Sequence, residues 1–425
     1  MTGDSLWRHG DFRRLWLGDT GSQFGEMITN TAAPLLAALV LAATPFQMGV
    51  LNAADTAAFL LIGLPAGAWV DRMRRRPLML GVNVGRAVLL ASVPVAWWLG
   101  VLTLTQLILV GLFVGGLSVF FDVAYQSYLP SLIGRDQLVD GNSKLQASAS
   151  IAQVSGPALG GGLTQLVGGA NAMGVNALTY VWSVLCLVRI RAVEPPVERT
   201  PDRNLRREIG EGLRFVLGNR SLVAIVSCTG TSNLSSGIVS TVGVLVLTRQ
   251  FHASAGIVGL LLTGGGVGGV VGALFARRIA ARVGQARTIW LSLVVTQPVV
   301  LLIALAGPGG LLVLYAIGWL AYGFGGVIYN IAQVSFRQAI CPDRLLGRMN
   351  ASVRFLVWGT IPVGALLGGG LGTAIGIHDT LWVGVAGLVL SPLCVVLSPL
   401  RKMRDIPTDP RADDVISPSP ATSPS

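Results

Sequence analysis

Charge is what this chain has least of. Asp, Glu, Lys and Arg make up 12% of its 425 residues, about half the share of a soluble domain. Apolar runs of 20 residues or more recur too often for one buried core, and they lack the ten-residue alternation of barrel strands. Histidine is scarce: His9, His252 and His378 all fall in tail or loop positions. If protons move within the apolar segments, carboxylates must carry them. The four cysteines, Cys186, Cys228, Cys341 and Cys394, are scattered, so neither a disulfide framework nor a metal site follows. No nucleophile and base, and no metal-ligand spacing, support an enzyme. No catalytic residue, metal or cofactor is therefore expected. A GxxxxGK[ST] loop is missing too, so ATP is not the energy source.

What is present reads as an all-α polytopic membrane protein. Twelve candidate helices run over 13–42, 47–70, 77–100, 105–129, 142–168, 171–190, 220–248, 254–276, 287–306, 310–334, 350–375 and 380–400. The first is too long for a cleaved leader and is expected to stay as a membrane helix. The net charge of +11 sits in alternate loops without interleaved aromatics, so no nucleic-acid partner is expected. Arg13 and Arg14, the run Arg72 to Arg76, Arg135, the 189–220 loop, Arg277 to Arg287, Arg337 to Arg348, and Arg401 to Arg404 share one side. The short loops on the other side hold one basic residue, Arg249. The positive-inside rule then puts both termini in the cytoplasm, with the chain as a multi-pass monomer in a bacterial plasma membrane.

The chain also repeats itself. A shift of 208 aligns Leu138 with Leu346, Asn142 with Asn350, and Gly160-Gly161-Gly162-Leu163 with Gly368-Gly369-Gly370-Leu371. Gly67-Ala68 likewise matches Gly272-Ala273. The expected organisation is a six-helix half over 1–190, a cytoplasmic linker over 191–219, a second half over 220–400, and a disordered tail over 401–425. Parallel six-helix repeats are a transporter signature. The linker carries Leu205, Ile209, Leu213 and Val216 on one face of a helix, suited to the membrane surface or to a solvated linker.

The chemistry concentrates in the first segment. Asp19, Gln23, Glu26 and Asn30 fall on one helical face. Glu26, about 10 Å along the axis from Asp19, lies near the bilayer midplane, where an ionisable residue is costly and marks a functional site. The bland reading is a structural, hydrogen-bonded acid. Asp55, Asp122, Arg86 and Arg354 are the other intramembrane charges. Arg86 can offset a buried carboxylate, and Asp122 is its expected partner. The proton-coupling set is therefore Glu26, Asp19, Asp55, Asp122 and Arg86.

Two motifs bear on gating. The second segment ends Gly67-Ala-Trp-Val-Asp71-Arg72-Met-Arg74-Arg75-Arg76. It resembles the signature of the major facilitator superfamily, with Arg74 in place of the usual Gly. The resemblance implies a twelve-helix fold and an inner gate built on Gly67, Asp71, Arg72 and Arg75; the arginines alone also serve as topology anchors. The counterpart of Asp71 is Ala276, so any latch is asymmetric. The fifth segment carries Gly156-Pro157-Ala-Leu-Gly160-Gly161. This is similar to the Gly-Pro motif of the superfamily's exporter branches. Such glycines let helices approach closely, and the proline weakens one backbone bond.

Three further stretches, FRRLWLGDTGSQFGE, FFDVAYQSYLPSLI and FRQAICPDRLLGRMNAS, look like the bacterial macrolide- and siderophore-exporter branch. Asp19 stands where that branch more often has an amide. The resemblance implies outward transport of a bulky, amphipathic organic molecule in exchange for protons, by alternating access. The expected pocket lies between the halves and draws on Glu26, Tyr125, Asn233, Tyr322, Tyr329 and Asn330. Two other readings use the same residues: a lipid or lysolipid flippase or solute importer on this fold, and a sensor or scaffold that transports nothing.

Overall fold

The computed structural model describes residues 6–70, 72–134, 137–192, 205–342 and 345–405. The tail from 406 and the Pro-rich start of the linker, 193–204, lie outside it. The first half consists of α1 (Gly10–Leu39), α2 (Pro45–Val70), α3 (Arg75–Trp98), α4 (Leu104–Ile133), α5 (Leu138–Val167) and α6 (Gly169–Val188). A short helix, α7 (Leu205–Gly218), follows. The second half consists of α8 (Arg220–Leu245), α9 (Ala255–Val283), α10 (Gln285–Val300), α11 (Leu312–Ile340), α12 (Leu346–Trp358), α13 (Thr360–Ala374), α14 (Ile377–Leu390) and α15 (Leu393–Val396).

Among the described residues, nine spans are long and apolar enough to cross a membrane, with α12 and α13 forming one span and α14 and α15 another. The helices α1, α2 and α5 have 30, 26 and 30 residues and pack into the same bundle, which makes twelve. Helices are the expected solution, because every backbone polar group must be satisfied within its own span.

The halves are built alike. α1 packs on α5 and α6, as α8 packs on α13 and α14; α2 packs on α4, as α9 packs on α11. The two largest contacts between the halves, α5 on α9 and α2 on α13, are counterparts. Glycine makes both possible. A Cβ on Gly161 of α5 would lie 2.8 Å from the Gly259 Cα of α9. One on Gly369 of α13 would lie 3.1 Å from the Gly49 Cα of α2.

The apolar core shows which end is closed. One buried cluster runs through both halves at the end away from the arginine-rich loops. It takes in Leu36 of α1, Met48 of α2, Val242 of α8, Val258 of α9 and Leu381 of α14. At the arginine-rich end the cores are separate. Phe12, Met79, Tyr128 and Leu187 belong to the first half alone, and Ile225, Ile289 and Phe336 to the second. The bundle is sealed at one end and split at the basic end.

Two details depart from expectation. The 350–375 segment is broken at Gly359, where α12 stops and α13 begins. Pro362 has no N–H for the fourth carbonyl back, so the ladder loses a rung there. The linker helix α7 packs against α12: Val216 joins Leu222, Met349 and Val353 in a buried cluster, and Glu211 pairs with Arg348. Val216 of its apolar face is thus packed against protein. Leu205 and Ile209 of that face lie outside the described side chains.

Candidate functional site: carboxylates within the bundle and two cavities

α1 presents three faces. Gly18 and Gly25 abut Ser183, Asn176 and Thr179 of α6, and Met27, Ile28 and Thr31 abut Gly156 and Gly160 of α5. The third face carries Asp19, Gln23, Glu26 and Asn30, and it points into the bundle. Gln23 Nε2 donates to Asp19 Oδ2 at 3.2 Å, and the Tyr125 hydroxyl of α4 is buried beside the same carboxylate. Asp19 is 6% exposed. Glu26, Asp55 and Asp122 are accessible. Glu26 is the electrostatic neighbour that Asp19, Asp55 and Asp122 have in common. Glu26 thus has carboxylates from α1, α2 and α4 within electrostatic reach inside the membrane-spanning bundle.

Arg86 is 3% exposed, but an ion pair with Asp122 is not what holds it. Its guanidinium lies between two rings, 4.9 Å from the Phe121 centroid and 5.2 Å from that of Tyr180. Nη1 reaches Asn83 Oδ1 at 3.5 Å, and Asn83 in turn donates to Ser183 Oγ at 3.0 Å. Asp122 makes no hydrogen bond or ion pair among the described residues; it feels Arg86 and, from the other half, Arg354 at longer range.

Two cavities open toward the basic end. One, of about 840 Å³, is lined by Gln23, Tyr125 and the start of α5 from Asn142 to Ser150. The other, of about 240 Å³, lies between the halves, with Gly63, Asp122 and Gln126 on one wall and Asn350, Arg354 and Phe355 on the other. Asn142 and Asn350, aligned by the internal repeat, each line one of them. Their role is legible only once the repeat is read as a pseudo-symmetry axis through the cavity. Gln126 and Phe355 carry no such signal.

The remaining pocket residues divide. Asn330 is exposed and accepts from Gln333 Nε2 at 2.9 Å. Tyr322 is half-buried and stacks on Trp319, centroids 5.3 Å apart. Tyr329 is 6% exposed; its hydroxyl bonds Thr229 at 2.7 Å and donates to the Ile225 carbonyl at 3.2 Å, tying α11 to α8. Asn233 Nδ2 donates to the Val357 carbonyl at 2.8 Å, bracing the α12–α13 break.

The Gly-Pro motif sits at a three-way junction. Gly156 and Gly160 take α1, while Pro157 and Gly161 take α9 of the other half. In the second half Gly364 and Gly368 take α8, and Gly369 takes α2. Of the other motif, Asp71 and the surroundings of Gly67 lie outside the described residues. Arg72 is exposed and Arg75 half-buried at the basic end. The neighbouring Arg76 donates to the Leu187 and Val188 carbonyls at 3.1 and 2.9 Å, capping α6.

The family profile described as transmembrane secretion effector (MFS_3) matches residues 3–421. The chain belongs to that family of the major facilitator superfamily. Among relatives, the multidrug efflux pump Tap of Mycolicibacterium fortuitum is 31% identical over 398 residues, 89% of this chain and 93% of that protein. The enterobactin exporter EntS of Citrobacter koseri is 26% identical over 411 residues, 95% of each. Among solved structures, a bacterial homologue of the iron transporter ferroportin in its inward-facing state superposes with a TM-score of 0.75. It is 17% identical, with 93% of this chain and 99% of that one covered. The chain is a multi-pass membrane protein of that family.

Proposed function

We propose that this protein exports an amphipathic organic molecule, such as a macrolide or other drug or a siderophore, across the bacterial plasma membrane by proton antiport. The observation that carries the reading is the set of Asp19, Asp55 and Asp122 within electrostatic reach of Glu26 inside the bundle, with a cavity of about 840 Å³ opening beside Gln23 and Tyr125. Carboxylates so placed are costly unless used, and the cavity is of drug size. The exporters Tap and EntS, similar over most of this chain, support the direction. The positive-inside rule assigns the basic end to the cytoplasm, which makes the present state inward-open.

In the cycle we infer, deprotonated Glu26 favours cargo entry from the cytoplasm between α1, α4 and α5, beside Tyr125, Tyr322 and Asn330. The halves rock about the Gly161–Gly259 and Gly49–Gly369 seams. A proton taken up on the outside weakens cargo binding, and the protonated form returns. Protonation must favour one gate state, because equal affinity for both couples nothing.

The test is accumulation of a labelled panel (a macrolide, a cationic dye, a siderophore) in efflux-deficient cells, with and without a protonophore. Wild type should lower accumulation at least tenfold, and Glu26→Gln or the protonophore should abolish this while the protein remains in the membrane. Retained uphill export in Glu26→Gln would remove Glu26 from the coupling. Unchanged accumulation of every compound, with uptake of a fluorescent lysolipid, would favour the flippase reading.

A further inference from the structure

Arg249 is the arginine of the short loops at the closed end, where Asp379 in the first turn of α14 is the acid, and nothing in the cavity needs it. It sits on a π-helical turn, Val246–Gln250, that ends the α8 span. Such turns are rare and recur at functional positions. Its guanidinium crosses from the second half to the first: Nη2 donates to the Ala38 carbonyl at 3.1 Å and to the Ala43 carbonyl at 2.8 Å. Ala38 is in the last turn of α1, whose final carbonyls have no intrahelical donor and form the negative end of the helix dipole.

The two turns involved are counterparts. Ala42 in the α1–α2 turn and His252 in the α8–α9 turn both have positive φ, 49° and 52°. Ala43 N donates to Ala37 O, and Ala253 N to Leu247 O, each at 2.9 Å. The position matching Arg249 in the first turn is Leu39, which is exposed and has no donor. The strap therefore runs one way only. A second polar tie lies nearby: Gln165 Oε1 of α5 accepts from Ser254 Oγ at 3.1 Å and from Gly256 N at 2.9 Å, at the start of α9.

We propose that Arg249 is the latch of the closed end, holding the α1–α2 turn to the second half and releasing it when that end opens. The proposal rests on the alternating-access reading above. Its contacts are with backbone carbonyls, so the latch is indifferent to the side chains of the turn it grips. It acts on the conformational equilibrium alone and touches no cargo.

The experiment measures distance at the closed end. Nitroxides at Val101→Cys in the first half and Ile375→Cys in the second, both exposed, are placed in a cysteine-free full chain in lipid nanodiscs. The closed state is expected to give the shorter of two separations. Arg249→Gln is expected to raise the ratio of long to short separations at least tenfold, equivalent to about 1.4 kcal/mol. Arg249→Lys, which keeps the charge but not the fork, should fall between. A wild-type distribution in Arg249→Gln overturns the latch, provided that Gly161→Trp, a wedge in the seam, does bring in the long separation. If the wedge is also without effect, the alternating-access reading falls and the latch with it. Should Arg249→Gln not accumulate, a wild-type ratio in Arg249→Lys is the overturning result.

Discussion

At the residue scale, the membrane interior separates charges that serve packing from charges free to change state. Arg86 belongs to the first kind. A guanidinium between Phe121 and Tyr180 gains about 0.5–2 kcal/mol from each ring when desolvated. Arg86→Met should therefore lower stability by about 1–3 kcal/mol, read as a lower thermal midpoint in detergent. Arg86→Lys should also lose stability, because an ammonium cannot lie flat between two rings. A lysine variant as stable as wild type would mean that charge alone matters there. Glu26, Asp55 and Asp122 have no such clasp, and they are the groups whose neutralisation should alter transport before folding. The distinction was only half legible in the sequence. Each charge in an apolar run stood out, but the partner assigned to Arg86 was an acid. The rings come from α4 and α6, and only folding sets them on either side of α3.

At the element scale, the seams are made of glycine, and not all glycines in the repeated Gly-Gly-Gly run are equal. Gly161 and Gly369 meet the opposite half, whereas Gly162 and Gly370 have nothing within 4 Å of a new Cβ. Gly161→Leu and Gly369→Leu should each prevent closure of the sealed end and cost most of the transport activity. Gly162→Ala and Gly370→Ala should keep activity and raise stability by about 0.5–1 kcal/mol each, from helix propensity alone. Thermal midpoints and accumulation assays on the four variants check this; loss of transport in Gly162→Ala would break the argument. The repeat predicts that these positions correspond. It does not say which glycine of the three faces the other half, because that depends on the rotation of α5 and α13 about their axes. The linker helix makes a similar point. Its amphipathic face is plain in the sequence, but the surface it meets is α12, reached through Val216 and the Glu211–Arg348 pair.

At the scale of the whole molecule, two six-helix halves share one apolar core at one end and keep separate cores at the other. That asymmetry defines the state. It predicts that cysteines at Asn142 and Asn350, which line the two open cavities, react with a membrane-impermeant thiol reagent added from the basic side. In inside-out vesicles both should label, and in intact cells neither. Labelling in intact cells alone would reverse the orientation taken from the arginine-rich loops.

The sequence by itself determined that this is a twelve-helix membrane protein, that it is a duplicated transporter, and which carboxylates fall within its long helical segments. Each of these follows from hydropathy, loop charge and spacing along one helix, and such local features need no partner. Only the tertiary structure decided that Glu26 is the common neighbour of Asp19, Asp55 and Asp122, that Tyr329 and Asn233 brace helices, and that Arg249 reaches across to α1. Those facts depend on where distant helices stand and how each is turned, which is settled by the packing of glycine against backbone along the seams.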